Sequence, residues 1–279
     1  MAYKTLATFI SDPDSVAPAL EASVALARRE DAHLDVCCLG VDHTQPGHFY
    51  AGAPAMIYQE TLDRAREEAE ELEAEVRKRL GREDIRWGVE TAVVQLGGLS
   101  SLVGLRARFS DLVIQPKPYE KGRPTDAEAI VEAALFDGQA PVLIVPEAGI
   151  GDTLGQRITV AWNQSDEALS AVRRALPLLV AAEHVDIVII DPPAQGPERS
   201  DPGGLLTQML TRHGVRAEVS VLARTMPKIS EILQRHVREH GSDMLVMGAY
   251  GHSRFREAIL GGATRNMLEL AETPVFMAH

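Results

Sequence analysis

The sequence predicts an α/β protein built from two tandem domains, each with a parallel sheet wound on both faces. One observation is that short apolar runs alternate with helical patterns along all 279 residues, an order typical of parallel β-α-β units. A second is an internal repeat, in which Ser110–Ile114 corresponds to Ser242–Val246 and Ala140–Val145 corresponds to Thr273–Ala278. A repeat of about 130 residues indicates duplicated domains, because solenoid units are much shorter.

The predicted elements of the first half follow from apolar periodicity. Apolar runs bounded by turn residues predict strands, and apolar residues three and four apart predict helices. The strands are Tyr3–Ile10, His33–Val41, Trp87–Val94, Asp111–Ile114 and Pro141–Val145. The helices are Val16–Arg29, Gln59–Leu80, Ser101–Arg108 and Asp126–Phe136. After the fourth strand, Pro116 and Pro118 remove two backbone N–H donors that a phosphate loop would need, so no phosphate site is expected in this half.

The second half repeats this order after a linker, Pro146–Gly155, that has no apolar periodicity. The predicted domains are therefore residues 1–147 and 155–279. The strands are Arg157–Trp162, Val185–Ile190, Arg216–Ala223, Asp243–Met247 and Pro274–Ala278. The helices are Asp166–Ala181, Leu205–His213, Ile229–His240 and a last one that ends before Pro274.

Composition excludes several classes of function. The chain is 45% hydrophobic and 24% charged, which is ordinary for a globular protein. A formal net charge of −12 argues against unaided binding to nucleic acid or to an anionic membrane. No apolar run approaches the ~18 residues of a membrane helix, and the first ten residues lack the features of a signal peptide. We therefore expect a cytoplasmic protein without nucleic-acid or membrane partners.

Neither a disulfide nor a metal site is expected. Cys37 and Cys38 are the only cysteines, and neighbouring side chains on a strand point to opposite faces. They are interpreted as small core hydrophobes. No zinc-type cysteine spacing occurs, and no carboxylate or thiol cluster accompanies His43 and His48.

Glycines mark the point where the fourth strand of the second half ends and the next helix begins. They are Gly248, Gly251 and Gly261. Glycine lets backbone N–H groups approach a ligand closely, and a helix N-terminus favours an anion such as phosphate. The alternative is that these are ordinary turn and cap glycines.

The spacing of these glycines resembles the nucleotide loop of the universal stress protein family, G-x2-G-x9-G-[ST]. Gly262 stands where the family usually has Ser or Thr, and Thr264 matches a second hydroxyl position. The likeness covers nearly the whole chain as a tandem pair, but the motif lies only in the second half. It implies a five-stranded, adenine-nucleotide-binding α/β unit in each half. It also implies that the halves pair through their last strands as an intramolecular pseudo-dimer. It leaves open whether the chain also forms a homodimer.

The resemblance also implies a set of site residues for ATP or AMP, with or without Mg²⁺. Family members place adenine near an Asp at the end of the first strand, and here that position is Asn163. The implied base contacts are Ala161, Asn163 and Ile189. The implied phosphate and ribose contacts are Met247, Gly248, Tyr250, Gly251, Gly261, Gly262, Ala263 and Thr264. Arg254 or Arg265 is a candidate for added positive charge.

Three functions follow from this sequence. The first is a cytosolic stress-response sensor or regulator that binds an adenine nucleotide in the C-terminal domain. The second is a structural or interaction module of the same fold that binds no nucleotide, which Asn163 and Gly262 favour. The third is a slow ATPase; His252 lies in the loop, but a loop histidine is more typical of a turn, so no catalytic residue is assigned.

Overall fold

The chain folds into two compact units, Tyr3–Ala140 and Pro141–His279. The structure is a computed structural model that describes residues 3–44, 55–119, 126–151, 154–192, 200–249 and 262–279. The units divide just before the last strand of the first repeat, because this strand pairs with a strand of the second repeat. The domain limits 1–147 and 155–279 stay a prediction.

The first unit is a parallel sheet with helices in its crossovers. Its strands are β1 (Thr5–Ile10), β2 (His33–Asp42), β3 (Arg86–Gln95) and β4 (Leu112–Pro116). Its helices are α1 (Pro13–Glu30), α2 (Ala55–Leu80), α3 (Leu99–Ala107) and α4 (Asp126–Phe136). The strand order is β3-β2-β1-β4, and every pairing is parallel.

The second unit repeats this arrangement and adds one antiparallel strand. Its strands are β5 (Val142–Val145), β6 (Arg157–Ala161), β7 (His184–Ile190), β8 (Ala217–Leu222), β9 (Met244–Gly248) and β10 (Val275–Ala278). Its helices are α5 (Asp166–Ala181), α6 (Gly204–Arg212), α7 (Ile229–Glu239) and α8 (Ala263–Leu270). The order is β5-β10-β9-β6-β7-β8, in which only the β5–β10 pairing is antiparallel. The predicted α/β class with a mostly parallel sheet is confirmed, and each repeat contributes five strands.

Burial follows strand position within each sheet. All five residues of β4 are buried, as expected of a strand covered on both faces, whereas no residue of β8, at a sheet edge, is buried. Cys37 and Cys38 are both buried and unbonded, and burial raises the pKa of each thiol to about 12. Both cysteines are therefore buried core residues, as predicted. Among the described helices, none combines the length and apolarity needed to cross a membrane.

The Ser-Asp pairs that revealed the repeat have the same structural role in both units. The Asp111 carboxylate accepts hydrogen bonds from the backbone N–H groups of Lys4 and Thr5, at 2.7 and 2.9 Å. The Asp243 carboxylate accepts hydrogen bonds from the N–H groups of Gly155–Arg157, at 2.8 to 3.3 Å. Each aspartate thus stabilises the start of the first strand of its own repeat.

Replacing Asp243 with alanine should destabilise the second unit by about 2–3 kcal/mol, because three backbone donors lose a charged acceptor. Asp243→Asn keeps one acceptor oxygen, so its loss should be clearly smaller. Urea unfolding followed by circular dichroism measures both variants against the parent. Equal midpoints for Asp243→Ala and the parent would show that these hydrogen bonds contribute nothing net.

Candidate functional site

The candidate site lies at the carboxyl edge of the second sheet, where β6 and β9 end side by side. Ala161, the last residue of β6, is in register with Met247 of β9 and with Val188 of β7. The crossovers from β6 lead through β7 to β8 on one side, whereas β9 and β10 lie on the other. The boundary between β6 and β9 is therefore the topological switch point, where doubly wound sheets bind their ligands.

The predicted base contacts do not all share one face of the sheet. Ala161 and Met247 are paired residues, so their side chains leave the same face. Ile189 follows Val188 by one residue, and neighbouring side chains on a strand leave opposite faces. Ile189 is 3% exposed, and its Cδ1 lies 2.9 Å from where a Cβ on Gly203 would stand. Its side chain is thus packed against the start of α6.

Asn163 belongs to the turn between β6 and α5. Its Oδ1 accepts the backbone N–H of Ser165 at 3.2 Å, and the Ser165 hydroxyl in turn accepts the N–H of Ala168 at 3.1 Å, which caps α5. Gln164 between them has a left-handed φ of 64°. The Asn163 side chain is thereby fixed at the carboxyl edge, and its oxygen has a second lone pair for a ligand.

Gly248 is required by packing between β9 and α5. A Cβ at this position would lie 2.6 Å from the Ala168 nitrogen and 2.7 Å from the Glu167 carbonyl carbon. These are backbone atoms of the first turn of α5, so they cannot rotate away. Gly248 does not have a positive φ. The structure shows that this glycine allows close approach of β9 to a helix. The close approach to a ligand expected from the sequence stays a prediction.

Asn266, which no sequence pattern singled out, holds the start of α8. Gly262 is the N-cap, with φ −59° and ψ 162°. The Asn266 side-chain amide donates to the Gly262 carbonyl at 3.0 Å, and the Asn266 backbone N–H donates to the same oxygen at 3.1 Å. Ala263 is the first helical residue and is half-buried, while Thr264 is buried. The sequence signal that could have identified this role is an asparagine three positions after the first helical residue.

The position of α8 relative to the sheet follows from its connections. It joins β9 to β10, which are parallel neighbours, so it must begin at the carboxyl edge and run back along the sheet. Arg265 in its first turn forms an ion pair with Glu269, with 3.0 Å between Nε and Oε1. This exposed carboxylate partly offsets the charge that Arg265 could offer a ligand.

Several predicted residues lie outside the described part of the chain. They are Tyr250, Gly251, Gly261, His252 and Arg254. In the first unit β4 ends at Pro116, and residues 120–125 are also outside the described ranges. The expectation that the first half has no phosphate site stays a prediction.

Solved structures with the same fold cover the whole chain. A crystal structure of a universal stress protein from Archaeoglobus fulgidus DSM 4304 matches with a TM-score of 0.74 and 16% identity, covering 98% of this chain and 95% of that one. A functionally unknown protein from Pseudomonas aeruginosa PAO1 matches with a TM-score of 0.60 and 14% identity, covering 99% and 92%. The full chain is thus an α/β protein with the mostly parallel sheet of these structures.

Sequence comparison identifies the family of the second half. Residues 155–279 match the model of the Universal stress protein family. The universal stress protein Slr1230 of Synechocystis sp. is 30% identical over 97 residues, which are 35% of this chain and 33% of that protein. The match therefore spans about a third of the length of this curated relative. The C-terminal half of the chain belongs to the universal stress protein family, which confirms the resemblance seen in its glycine spacing.

Proposed function

We propose that the C-terminal unit binds one adenine nucleotide, ATP or AMP, and that the protein acts as a stress-response regulator. The observation that carries this proposal is the register of Ala161 with Met247 across the switch point of the sheet. Ligands of doubly wound sheets bind at such a point. The family of residues 155–279 and the glycine spacing supply the ligand class.

The proposed site has a base side and a phosphate side. Adenine lies near Ala161 and Asn163, whose Oδ1 accepts from the exocyclic amine, with Ile189 behind them. The phosphates, with or without Mg²⁺, lie at the start of α8, because a helix N-terminus carries a partial positive charge. The residues of this side are Met247, Gly248, Tyr250, Gly251, Gly261, Gly262, Ala263 and Thr264.

The regulator proposal is preferred to an enzyme because the proposed contact residues include no Asp, Glu, His, Lys or Cys that would be placed as a catalytic base. A cytoplasmic location belongs to the same proposal, on the sequence grounds given above. Pairing of the two halves through their last strands also belongs to this proposal. The antiparallel pairing of β5 with β10 supports it. The proposal leaves a homodimer of the whole chain open.

A module that binds no nucleotide is the second candidate, and two observations favour it. Packing of α5 against β9 is sufficient to explain Gly248. The Asn163 oxygen is already engaged by Ser165, and it lacks the charge of the aspartate that the family resemblance implies at this position. Under this alternative the carboxyl edge has only a structural or interaction role.

Two substitutions at Gly262 separate these candidates. Gly262→Ser adds the hydroxyl that the family motif has, and should tighten ATP or AMP binding about fivefold. Gly262→Asp adds a negative charge at the same N-cap, and should weaken binding at least about tenfold by repelling phosphate. Calorimetric titration of each nucleotide into the full chain measures both effects, with one site per chain expected.

Thermal unfolding without nucleotide is the control for both variants. Serine and aspartate are both favoured N-cap residues, so neither should lower the stability of the protein. Unchanged affinity in Gly262→Asp would exclude the start of α8 as the phosphate site. A parent and a Gly262→Ser variant that both fail to bind ATP and AMP would support the non-binding module.

A further inference from the structure

A buried carboxylate and two histidines lie together on the second unit. His236 near the end of α7 and Asp186 of β7 are hydrogen-bonded, with 2.5 Å between Nε2 and Oδ2. Their side chains are only 4% and 6% exposed. The ring of His240, one helical turn further on, stacks on that of His236 with centroids 3.8 Å apart and planes 19° from parallel. One potential ligand atom from each of the three residues lies within 4.8 Å of the other two.

Two atoms of this cluster can offer a lone pair to a metal ion. Asp186 Oδ1 is buried and has no hydrogen-bond partner among the residues that the structure describes, which is costly for a carboxylate oxygen. His240 Nδ1 lies 3.0 Å from the His236 carbonyl oxygen. Because a carbonyl can only accept, Nδ1 must carry the proton, and Nε2 of the neutral ring is then an acceptor or a metal ligand.

The strand register places Asp186 nearer the amino ends of the strands than the candidate nucleotide site. Asp186 is paired with Thr159 of β6 and Glu218 of β8, near the amino ends of the strands. The nucleotide site lies at their carboxyl ends, where Ala161 is paired with Val188. Residues paired across parallel strands share a face, so the exposed Glu218 adds negative charge on the face that carries Asp186. Arg157 of β6 adds a positive charge close by, because its Nε donates to the His240 carbonyl oxygen at 3.2 Å. Attraction of a cation therefore depends on the buried carboxylate of Asp186 itself.

We propose that Asp186, His236 and His240 bind a divalent transition-metal ion of the Zn²⁺ type. Two imidazole nitrogens and one carboxylate oxygen suit Zn²⁺, whereas Mg²⁺ and Ca²⁺ prefer ligand sets made of oxygen. Three protein ligands and a water molecule complete a tetrahedral shell.

Binding requires small side-chain movements within the cluster. Ligands at about 2.0–2.1 Å from a tetrahedral ion lie roughly 3.3 Å from one another. Coordination by His236 Nε2 therefore replaces its hydrogen bond to Asp186, the Nε2 proton leaves to solvent as the ion enters, and His240 must approach the pair. The exposed position of His240 makes that approach possible and gives the ion an entry path.

No metal site was expected from the sequence, because the chain has neither zinc-type cysteine spacing nor a ligand cluster close together in the sequence. Asp186 and His236 are 50 residues apart. The competing explanation is a purely structural Asp–His hydrogen bond that ties β7 to α7. That explanation assigns no role to His240, so His240 is the residue at which the two can be separated.

The test uses full-length protein treated with a chelator and then titrated with Zn²⁺ by calorimetry, without nucleotide. We expect one Zn²⁺ per chain at this cluster and a rise in Tm with Zn²⁺ concentration, because ligands of the folded state stabilise it. His240→Gln should weaken Zn²⁺ binding at least about tenfold and remove most of the Tm rise, since one of three ligands is lost. His213→Gln, at the exposed end of α6, is the matched control and should bind as the parent does.

A second variant keeps the test decisive if loss of a histidine alters folding. Asp186→Asn preserves an oxygen that accepts from His236 but removes the charge, so it should remain folded and bind Zn²⁺ at least about tenfold more weakly. Co²⁺ titrated in place of Zn²⁺ should give a tetrahedral absorption spectrum in the parent that is lost in both variants. A parent without a Zn²⁺-dependent Tm rise would overturn the proposal. So would His240→Gln and Asp186→Asn proteins with parental Zn²⁺ affinity and Co²⁺ spectrum.

Discussion

Gly40→Ala is expected to abolish or severely weaken folding of the first unit. Gly40 lies in β2 beneath α2, and a Cβ there would stand 1.8 Å from the Ala65 carbonyl oxygen and 2.6 Å from its carbonyl carbon. Both are helix backbone atoms, so relief requires α2 to move away from the sheet. Overpacking of this kind typically costs about 1–3 kcal/mol, and a contact this short should place the loss at or above the upper end.

Urea and thermal unfolding, followed by circular dichroism, measure this loss directly. Gly97→Ala is the matched control in the same unit, because a Cβ at Gly97 meets nothing within 4 Å. The control should stay within about 0.5 kcal/mol of the parent. If Gly40→Ala unfolded at the same urea concentration as Gly97→Ala, β2 and α2 could not be packed as the structure has them.

Gly248→Ala should both destabilise the second unit and disrupt the candidate nucleotide site. The added Cβ would force the first turn of α5 away from β9, at a cost of about 2–3 kcal/mol. The Ser165 cap and the Asn163 turn immediately precede that helix, so they should move with it. We therefore expect ATP or AMP affinity to fall at least about tenfold, because Asn163 is on the proposed base side.

Unfolding without nucleotide distinguishes this packing role from a ligand role. Gly262→Ser is the matched control, because it also adds a Cβ to a glycine of the carboxyl edge but should retain parental stability. A glycine needed only for ligand approach would leave the stability of Gly248→Ala unchanged in the absence of nucleotide. That result would contradict the packing explanation.

Most secondary structure could be predicted from local patterns. The described strands and helices lie within about four residues of their predicted ends, because apolar periodicity encodes which face of an element is buried. The Ser-Asp repeat also identified equivalent positions correctly, since Asp111 and Asp243 bind equivalent strand starts. The predicted helix starts were less accurate. The predicted start of α2 was Gln59, but the helix begins at Ala55, because no capping pattern marks its first residue.

The sequence by itself determined the α/β class, the duplication, the buried free cysteines and the family of the second half. Each of these depends on local periodicity, on spacing or on composition. Only the tertiary structure decided why Gly248 must be glycine and that Asp186 meets His236. The physical reason is that a side chain's local pattern specifies its face and its burial, whereas its partner from a distant segment is chosen by the packing of whole elements.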